Sequence, residues 1–176
     1  MKQVSLIEKI SFNLMALEYK IKSLITPPEN ILKETNINKG DFVVDYGCGP
    51  GRYTIPIAKM VGDSGKVYAV DINPLAFDNV NDKASKENLT NIELLDADNI
   101  NNISDNSIDV VILYDTLHDI KDMRGVIKII ARILKTNGYL SFKDHTLKKD
   151  CILTMVEDVP LILDKETKET IELKKI

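Results

Sequence analysis

The sequence predicts an α/β protein with a doubly wound, mostly parallel sheet of seven strands that is closed by a C-terminal antiparallel hairpin. Three observations support this fold class. Strand-like runs of apolar residues alternate with stretches of helical apolar spacing over most of the 176 residues, as βαβ units require. A glycine-rich turn follows the first buried strand, which is typical of the ligand-binding edge of a parallel sheet. Near the end of the chain, two strand-like segments flank the polar turn 164–169.

Two helical segments precede the first strand. Apolar residues recur at helical spacing over residues 4–25, which predicts an amphipathic helix that ends before a pair of prolines. Residues 29–35 are predicted to form a shorter helix. We therefore divide the chain into an N-terminal helical lid or cap segment, residues 1–35, and a domain that carries the sheet, residues 36–176.

Strands and helices then alternate to the end of the chain. Asn73 and Pro74 favour a helix start, with a capping side chain before a proline at the first helical position. Pro56 is expected near the first turn of its helix, and the turn Thr136-Asn137-Gly138 is expected to provide a left-handed helix exit. The polar segment 96–107 is predicted to be a loop. The predicted strands are 42–45, 66–71, 92–95, 108–113, 139–143, 160–163 and 170–174. The predicted helices are 52–61, 74–88, 122–134 and 147–158.

Composition restricts the classes of function. The 23 basic and 27 acidic residues give a net charge of −4, so a general affinity for nucleic acid is not expected. The two cysteines, Cys48 and Cys151, have no metal-binding spacing and indicate no disulfide framework. We find neither a run of 18 apolar residues nor the pattern of a signal peptide, and we expect a cytoplasmic protein without a membrane partner.

The residues after the first predicted strand carry the most specific signal. Asp45 ends the strand, and Gly47, Gly49 and Gly51 follow at alternate positions. Glycine lets a ligand contact the backbone directly because no Cβ intervenes. A dinucleotide-binding loop would place its third glycine where Arg52 stands. An acid before the loop is also badly placed beside a pyrophosphate, and it suits a ligand with a cationic centre.

This Asp-x-Gly-x-Gly-x-Gly arrangement resembles motif I of the class I S-adenosylmethionine-dependent methyltransferases, which have a Rossmann-like fold. Three more stretches match the family in order: Asp71 after the second strand, Asp96-Ala97 after the third, and residues 134–138 before the fifth. The resemblance covers about residues 36–145. It implies S-adenosyl-L-methionine as the cofactor, S-adenosyl-L-homocysteine as its product, and transfer of a methyl group.

The resemblance also implies the cofactor contacts. Asp71 would accept hydrogen bonds from the ribose hydroxyls, unless it is only a surface acid beside a turn. Asp96 best matches the acid that accepts from the adenine amino group, with Asp98 as a second candidate and a solvated acidic loop as the alternative. Ile72 would pack on the adenine. The predicted cofactor-binding residues are Asp45, Tyr46, Gly47, Cys48, Gly49, Gly51, Asp71, Ile72, Asp96, Ala97 and Tyr114.

Both histidines of the chain follow strands at the same predicted sheet edge. His118 follows the fourth strand together with Asp115, and His145 follows the fifth. We predict that these three residues are catalytic, because methyl transfer to oxygen or nitrogen often requires removal of a proton. The same donors are suitable ligands for a divalent metal, but no ligand spacing supports one and we assign no metal. Ordinary loop residues are the remaining interpretation.

The motifs do not specify the methyl acceptor. The sequence looks most similar to small-molecule members of the family, which include quinone and arsenite methyltransferases. Arsenite enzymes need several substrate-binding cysteines, whereas Cys48 lies in the glycine loop and Cys151 is alone. Residues 114–117 read Tyr-Asp-Thr-Leu instead of the Asn-Pro-Pro-Tyr signature of nucleic-acid enzymes. We therefore expect a small-molecule acceptor and no nucleic acid.

The acceptor side leaves alternatives open. Phe12, Met15 and Tyr19 of the first helix are candidates for a lid over the acceptor, or they simply pack on the sheet. Because a short chain leaves little material for a substrate wall, a homodimer that completes the site is one arrangement. Two other functions also remain: a non-catalytic cofactor-binding scaffold, and a dinucleotide oxidoreductase, which the glycine spacing disfavours.

Overall fold

The computed structural model describes residues 5–176, so the predicted start of the first helix at residue 4 lies outside the described residues. The helices are α1 (Leu6–Ile25), α2 (Pro28–Leu32), α3 (Thr54–Val61), α4 (Pro74–Lys86), α5 (Met123–Ile133) and α6 (Lys149–Met155). The strands are β1 (Phe42–Tyr46), β2 (Lys66–Asp71), β3 (Ile92–Asp96), β4 (Ile108–Tyr114), β5 (Leu134–Lys143), β6 (Leu161–Glu166) and β7 (Ile171–Lys175).

Seven strands of the described residues form one sheet in the order β3-β2-β1-β4-β5-β7-β6. Strands β1 to β5 are parallel, and β7 runs antiparallel to both β5 and β6. The strand order changes direction between β1 and β4. In sheets of this kind, ligands bind outside the carboxyl ends of the strands at such a switch point. The predicted doubly wound sheet with its C-terminal hairpin is confirmed.

The central strand β4 is buried on both faces. Val110, Val111, Ile112 and Leu113 are each at most 1% exposed. Because side chains alternate along a strand, Val111 and Leu113 pack in one cluster with α5, while Val110 and Ile112 pack in another with α3. This two-sided packing fixes the positions at which β1 and β4 end.

Local signals explain the helix starts. The side chain of Asn73 accepts a hydrogen bond of 3.0 Å from the amide of Leu75, and Pro74 is the first residue of α4. Pro56 is the third residue of α3. The amides in this first turn have no intrahelical partner, so a proline there removes no hydrogen bond.

One local prediction is wrong, and a second is met at one residue of the predicted 136–138 turn. The segment predicted as a loop contains a 3-10 helix, Ala97–Asn102. The left-handed residue before the last part of β5 is Asn137, with a φ of 66°, and Gly138 has no positive φ. A Cβ at Gly138 would lie 2.8 Å from the carbonyl oxygen of Asp109, so this glycine allows a close approach of two strands instead.

Candidate active site

A cavity of about 930 Å³ opens at the carboxyl ends of β1 and β4. Its walls come from α1, the glycine loop after β1, the residues after β2, β4 and β5, and the 3-10 helix. A volume in this range suits a ligand of cofactor size. The predicted site residues that line it are Tyr46, Gly47, Cys48, Gly49, Asp71, Ile72, Ala97, Tyr114, Asp115, His118 and His145. Three predicted cofactor-binding residues are not among the lining residues: Asp45, Gly51 and Asp96.

The three loop glycines have different surroundings, although all have a positive φ. A Cβ at Gly47 would collide with the side chain of Thr116. A Cβ at Gly51 would lie 3.0 Å from Cγ2 of Val80, so this glycine packs against α4 rather than against the cavity. At Gly49 the nearest such atom is Cε of Met15 at 4.0 Å. Gly49 is therefore the position at which a ligand can lie directly on the backbone.

Asp71 connects the end of β2 to the glycine loop. Its Oδ2 accepts a hydrogen bond of 2.8 Å from the amide of Gly49, and its Oδ1 accepts one of 2.9 Å from the amide of Asn73. Burial raises the pKa of this carboxyl above its ordinary value, against the effect of the hydrogen bonds. Each carboxylate oxygen has more than one acceptor position. The side chain can therefore hold the loop and still accept from a ligand hydroxyl.

Asp45 lies beneath the glycine loop. It is 3% exposed, and its Oδ2 accepts a hydrogen bond of 2.6 Å from the hydroxyl of Thr54 at the start of α3. Burial raises the pKa of Asp45 to about 6, although the Thr54 hydrogen bond opposes the shift. The structure thus assigns Asp45 to the support of the loop, and the expectation that it faces a cationic ligand centre is not met.

After β3, the two acidic candidates exchange roles. Asp96 caps the 3-10 helix, because its Oδ1 accepts a hydrogen bond of 2.9 Å from the amide of Asp98. Asp98 and Ala97 line the cavity, whereas Asp96 does not. The second candidate of the sequence analysis therefore faces the ligand space, and the first supports it.

Two histidine–carboxylate pairs join the loop that follows β4 to the loop that follows β5. The Nδ1 of His118 lies 2.8 Å from the Oδ2 of Asp144, whose side chain has no exposed surface. The Nδ1 of His145 lies 3.0 Å from the Oδ1 of Asp115. Each histidine thus forms a hydrogen bond with the acid of the other loop. The two imidazole rings also form an edge-to-face contact with centroids 4.8 Å apart.

Asp144 is a residue that sequence reasoning missed. Its Oδ1 accepts hydrogen bonds from the amides of Thr146 and Leu147 at 2.8 and 3.0 Å. Burial alone would raise the pKa of Asp144, but the hydrogen bonds from His118 and these amides outweigh it and the pKa is lowered. The hydrogen bond to Asp144 in turn raises the pKa of His118. The one sequence signal for Asp144 was its position directly before His145.

One ligand atom from each of His118, Asp144 and His145 lies within 4.8 Å of the others. This set is able to hold a metal ion. His118 and Asp144 also form the hydrogen bond described above, so a metal site and a histidine base oriented by Asp144 are alternative uses of the same residues.

Tyr114 forms a rigid part of the cavity wall. Its hydroxyl lies 2.6 Å from Oγ of Ser141, which donates a hydrogen bond of 2.6 Å to the buried carboxylate of Glu172 in β7. Since Ser141 has one proton and gives it to Glu172, Tyr114 must be the donor to Ser141. Burial raises the pKa of Tyr114 well above its ordinary value. The ring, rather than the hydroxyl, is available to a ligand.

Helix α1 covers the cavity. Phe12 is 4% exposed, and Phe12, Met15 and Tyr19 line the cavity from above. Arg52 donates a hydrogen bond of 3.0 Å to the carbonyl oxygen of Thr26, and its guanidinium lies 5.8 Å from the centre of the Tyr19 ring. The residue that interrupts the dinucleotide spacing therefore fastens the end of α1 to the glycine loop.

Comparison with known proteins decides the family. The model of the family described as "Methyltransferase domain" matches residues 37–174, most of the chain. The chain belongs to the class I S-adenosylmethionine-dependent methyltransferases. S-adenosylmethionine is therefore its cofactor, and both predictions are confirmed.

Two groups of relatives are similar to this methyltransferase. The demethylmenaquinone methyltransferase of Lactobacillus johnsonii is 35% identical over 112 residues, which are 62% of this chain and 46% of the relative. That of a Geobacillus species is 31% identical over 62% of this chain and 47% of its own length. The chain spans about half the length of these curated relatives. A SAM-dependent methyltransferase from Aquifex aeolicus has a TM-score of 0.73 at 25% identity, over 89% of this chain and 97% of that one.

The described residues of the methyltransferase fit its cofactor. Gly49 offers bare backbone, Asp71 offers free acceptor positions beside it, and Asp98 faces the same cavity. Within residues 5–176, none of the helices is both long and apolar enough to cross a membrane.

Proposed function

We propose that this methyltransferase transfers the cofactor's methyl group to a small-molecule acceptor by direct displacement. The observation that carries the proposal is the continuity of one cavity, which extends from Gly49 and Asp71 to His118 and His145. A cofactor on the glycine loop and an acceptor near the histidines would then share one cavity. The names of the curated relatives, which specify demethylmenaquinone, agree with a small-molecule acceptor.

In this proposal, the cofactor contacts are divided among three strand ends. The backbone at Gly49 receives the cofactor, and Asp71 accepts from the ribose hydroxyls. Asp98 accepts from the adenine amino group, and Ile72, whose side chain is 71% exposed, packs on the base. When bound, the cofactor supplies an electrophilic methyl group on a sulfonium centre. The residues that hold it reduce the barrier by alignment and by exclusion of water.

His118 is the proposed general base, and Asp144 is its positioning residue. A neutral His118 that donates its Nδ1 proton to Asp144 presents an unprotonated Nε2. That nitrogen can remove a proton from an acceptor hydroxyl or amine as the methyl group is transferred. His145, with 68% of its side chain exposed, and Asp115 complete the wall on the acceptor side. We propose α1 as the lid that closes this space.

The test uses cofactor with a labelled methyl group and a panel of small acceptors that contains hydroxylated quinones, phenols and amines. We expect a labelled product and one equivalent of S-adenosylhomocysteine per methyl group transferred. A His118→Asn variant should bind the cofactor with unchanged affinity and form much less product. Tight cofactor binding with no labelled product from any acceptor would contradict the proposal and favour a cofactor-binding scaffold.

A further inference from the structure

The outer face of α1 is unusually apolar for an exposed helix. Eight aliphatic residues of α1 are each more than half exposed, although the opposite face covers the cavity. Leu6 at 73% and Ile25 at 78% are the first and last residues of the helix, and the other six form one stripe between them. The six are Ile7 at 77%, Ile10 at 52%, Leu14 at 63%, Leu17 at 54%, Ile21 at 51% and Leu24 at 80%. We call these six residues the α1 seam.

The spacing of the α1 seam is that of a coiled coil. Successive members are three, four, three, four and three residues apart, which is the a and d pattern of a heptad repeat. A wide apolar stripe packs a helix on a globular core, whereas a strict a/d stripe is the narrow contact of paired helices. The core contacts of α1 are made by other residues, Phe12 and Met15 among them.

We propose that the α1 seam pairs with the same seam of a second copy of this chain, so that the methyltransferase is a homodimer. The a positions are Ile7, Leu14 and Ile21, and two of the three are β-branched. Leucine occupies two of the three d positions, Leu17 and Leu24. Isoleucine at a with leucine at d favours two-stranded coiled coils.

The size of the seam also supports pairing. The exposed aliphatic side chains form an apolar patch on the order of several hundred Å², which is at the upper end of what monomeric proteins expose. A standard interface buries about 800 Å² on each partner. The seam can therefore supply most of the apolar area that a specific dimer needs.

The charges beside the seam favour a protein partner over a lipid surface. Helices that lie in a membrane interface carry a strongly basic polar face. On α1, Glu18 and Lys20 lie on either side of the seam, and Glu18 forms an ion pair of 2.7 Å with Lys22. Because charges of both signs flank the seam, two paired helices would not bring a block of like charges together.

The pairing stands apart from the proposed methyl transfer, because the seam residues are not those that line the cavity. Its first test is sedimentation equilibrium of the full chain over a wide range of concentrations. We expect about twice the chain mass of 19.8 kDa. Leu17→Glu should raise the dissociation constant by roughly 100-fold or more, since two charges would be buried in the seam. The control is Lys9→Glu, which places the same side chain outside the seam and should leave the dimer unchanged.

The Leu17→Glu variant should keep its far-ultraviolet circular dichroism and its cofactor affinity, because Leu17 is already 54% exposed in the single chain. A second test introduces one cysteine into a Cys151→Ser background. Leu14→Cys alone should form a disulfide-linked dimer if the two helices are parallel. A mixture of Leu14→Cys and Leu17→Cys chains should form the mixed dimer if they are antiparallel.

Three results would overturn the proposal. One is a wild-type chain that remains a monomer at all concentrations, whether or not it binds anionic vesicles. Another is a dimer that Leu17→Glu leaves intact. The third is the absence of disulfide-linked dimers with both cysteine designs.

Discussion

The Nδ1 of His118 and the Oδ2 of Asp144 are joined by a hydrogen bond of 2.8 Å across the ends of two neighbouring strands. The bond exists because β4 and β5 are parallel and in register, with Tyr114 opposite Lys143. The residues that follow these two positions must therefore leave the sheet side by side. A buried carboxylate thereby orients the ring of a histidine that faces the cavity.

The pH dependence of methyl transfer should change when this carboxylate loses its charge. The hydrogen bond to Asp144 raises the pKa of His118, so the base form appears as the pH rises through that elevated value. In Asp144→Asn, the rising limb of the pH–rate profile should move to lower pH. The plateau should fall about 10-fold or more, because the ring is no longer oriented.

Single-turnover rates between pH 5 and 9 measure this effect, and calorimetry should give an unchanged cofactor affinity. Asp119→Asn is the comparison variant, since Asp119 is an exposed acid 3.7 Å from the other nitrogen of His118. It raises the pKa of His118 less than the Asp144 hydrogen bond does, so its removal should move the limb by a smaller amount. If the rising limb of the pH–rate profile lies at the same pH in Asp144→Asn as in wild type, His118 is not the group that titrates.

Cofactor binding should be lost in Gly49→Val. The added side chain would enter the space in which the cofactor contacts the backbone, and φ at this position is 48°. The control is Gly62→Val, because Gly62 has a φ of 66° and its Cβ would only reach Lys39 at 3.7 Å. Both variants place valine at a positive φ, and the control is at least as demanding, because Gly62, with a ψ of −171°, lies in a region that is essentially restricted to glycine and costs other residues about 1–3 kcal/mol. Calorimetry with S-adenosylmethionine should therefore separate them, and equal affinities would refute the loop assignment.

Measurements of cofactor affinity and of unfolding free energy should distinguish the roles of the two acids after β3. Asp98→Ala should weaken cofactor binding by about 10-fold with little change in the free energy of unfolding, since it removes one hydrogen bond of about 1–1.5 kcal/mol. Asp96→Ala removes the cap of the 3-10 helix and should lower the free energy of unfolding by about 1 kcal/mol. The opposite outcome would restore Asp96 as the residue that contacts adenine.

The buried carboxyl of Asp45 should make the unfolding free energy depend on pH. Its pKa is raised from 3.8 to about 6 in the folded state, so the folded state binds the proton more tightly than the unfolded state. Stability from this group therefore falls as the pH rises from about 4 to about 6. Asp45→Asn should be more stable than wild type by about 2 kcal/mol at pH 7, with little difference near pH 4.

Urea denaturation of both proteins across this pH range measures the difference. Asp63→Asn serves as the control, because Asp63 is an exposed acid in the turn after α3. A difference between wild type and Asp45→Asn that is the same at pH 4 and pH 7 would contradict the assigned titration.

The sequence of helices and strands along the chain and the position of the glycine loop were predictable because local patterns determine them. The glycines after β1 and the cap at Asn73 act within a few residues of themselves, and the structure contains both as expected. The His118–Asp144 pair was not predictable, because it depends on the register of strands that are 26 residues apart in sequence.

A motif also does not reveal the direction in which a side chain points. Asp45 and Gly51 belong to the family pattern, but one supports the loop from below and the other packs on α4. The choice between Asp96 and Asp98 likewise depends on the turn of the 3-10 helix, which the polar composition of that segment concealed.

The contact between Arg52 and Thr26 has a consequence for the order of events in turnover. With α1 as the proposed lid, release of the spent nucleoside requires α1 to lift, and lifting it would break the hydrogen bond from Arg52, the residue directly after the glycine loop. In that arrangement, opening of the lid and release of the product would be coupled. A protein built in this way is expected to spend much of each cycle discarding its product rather than making it.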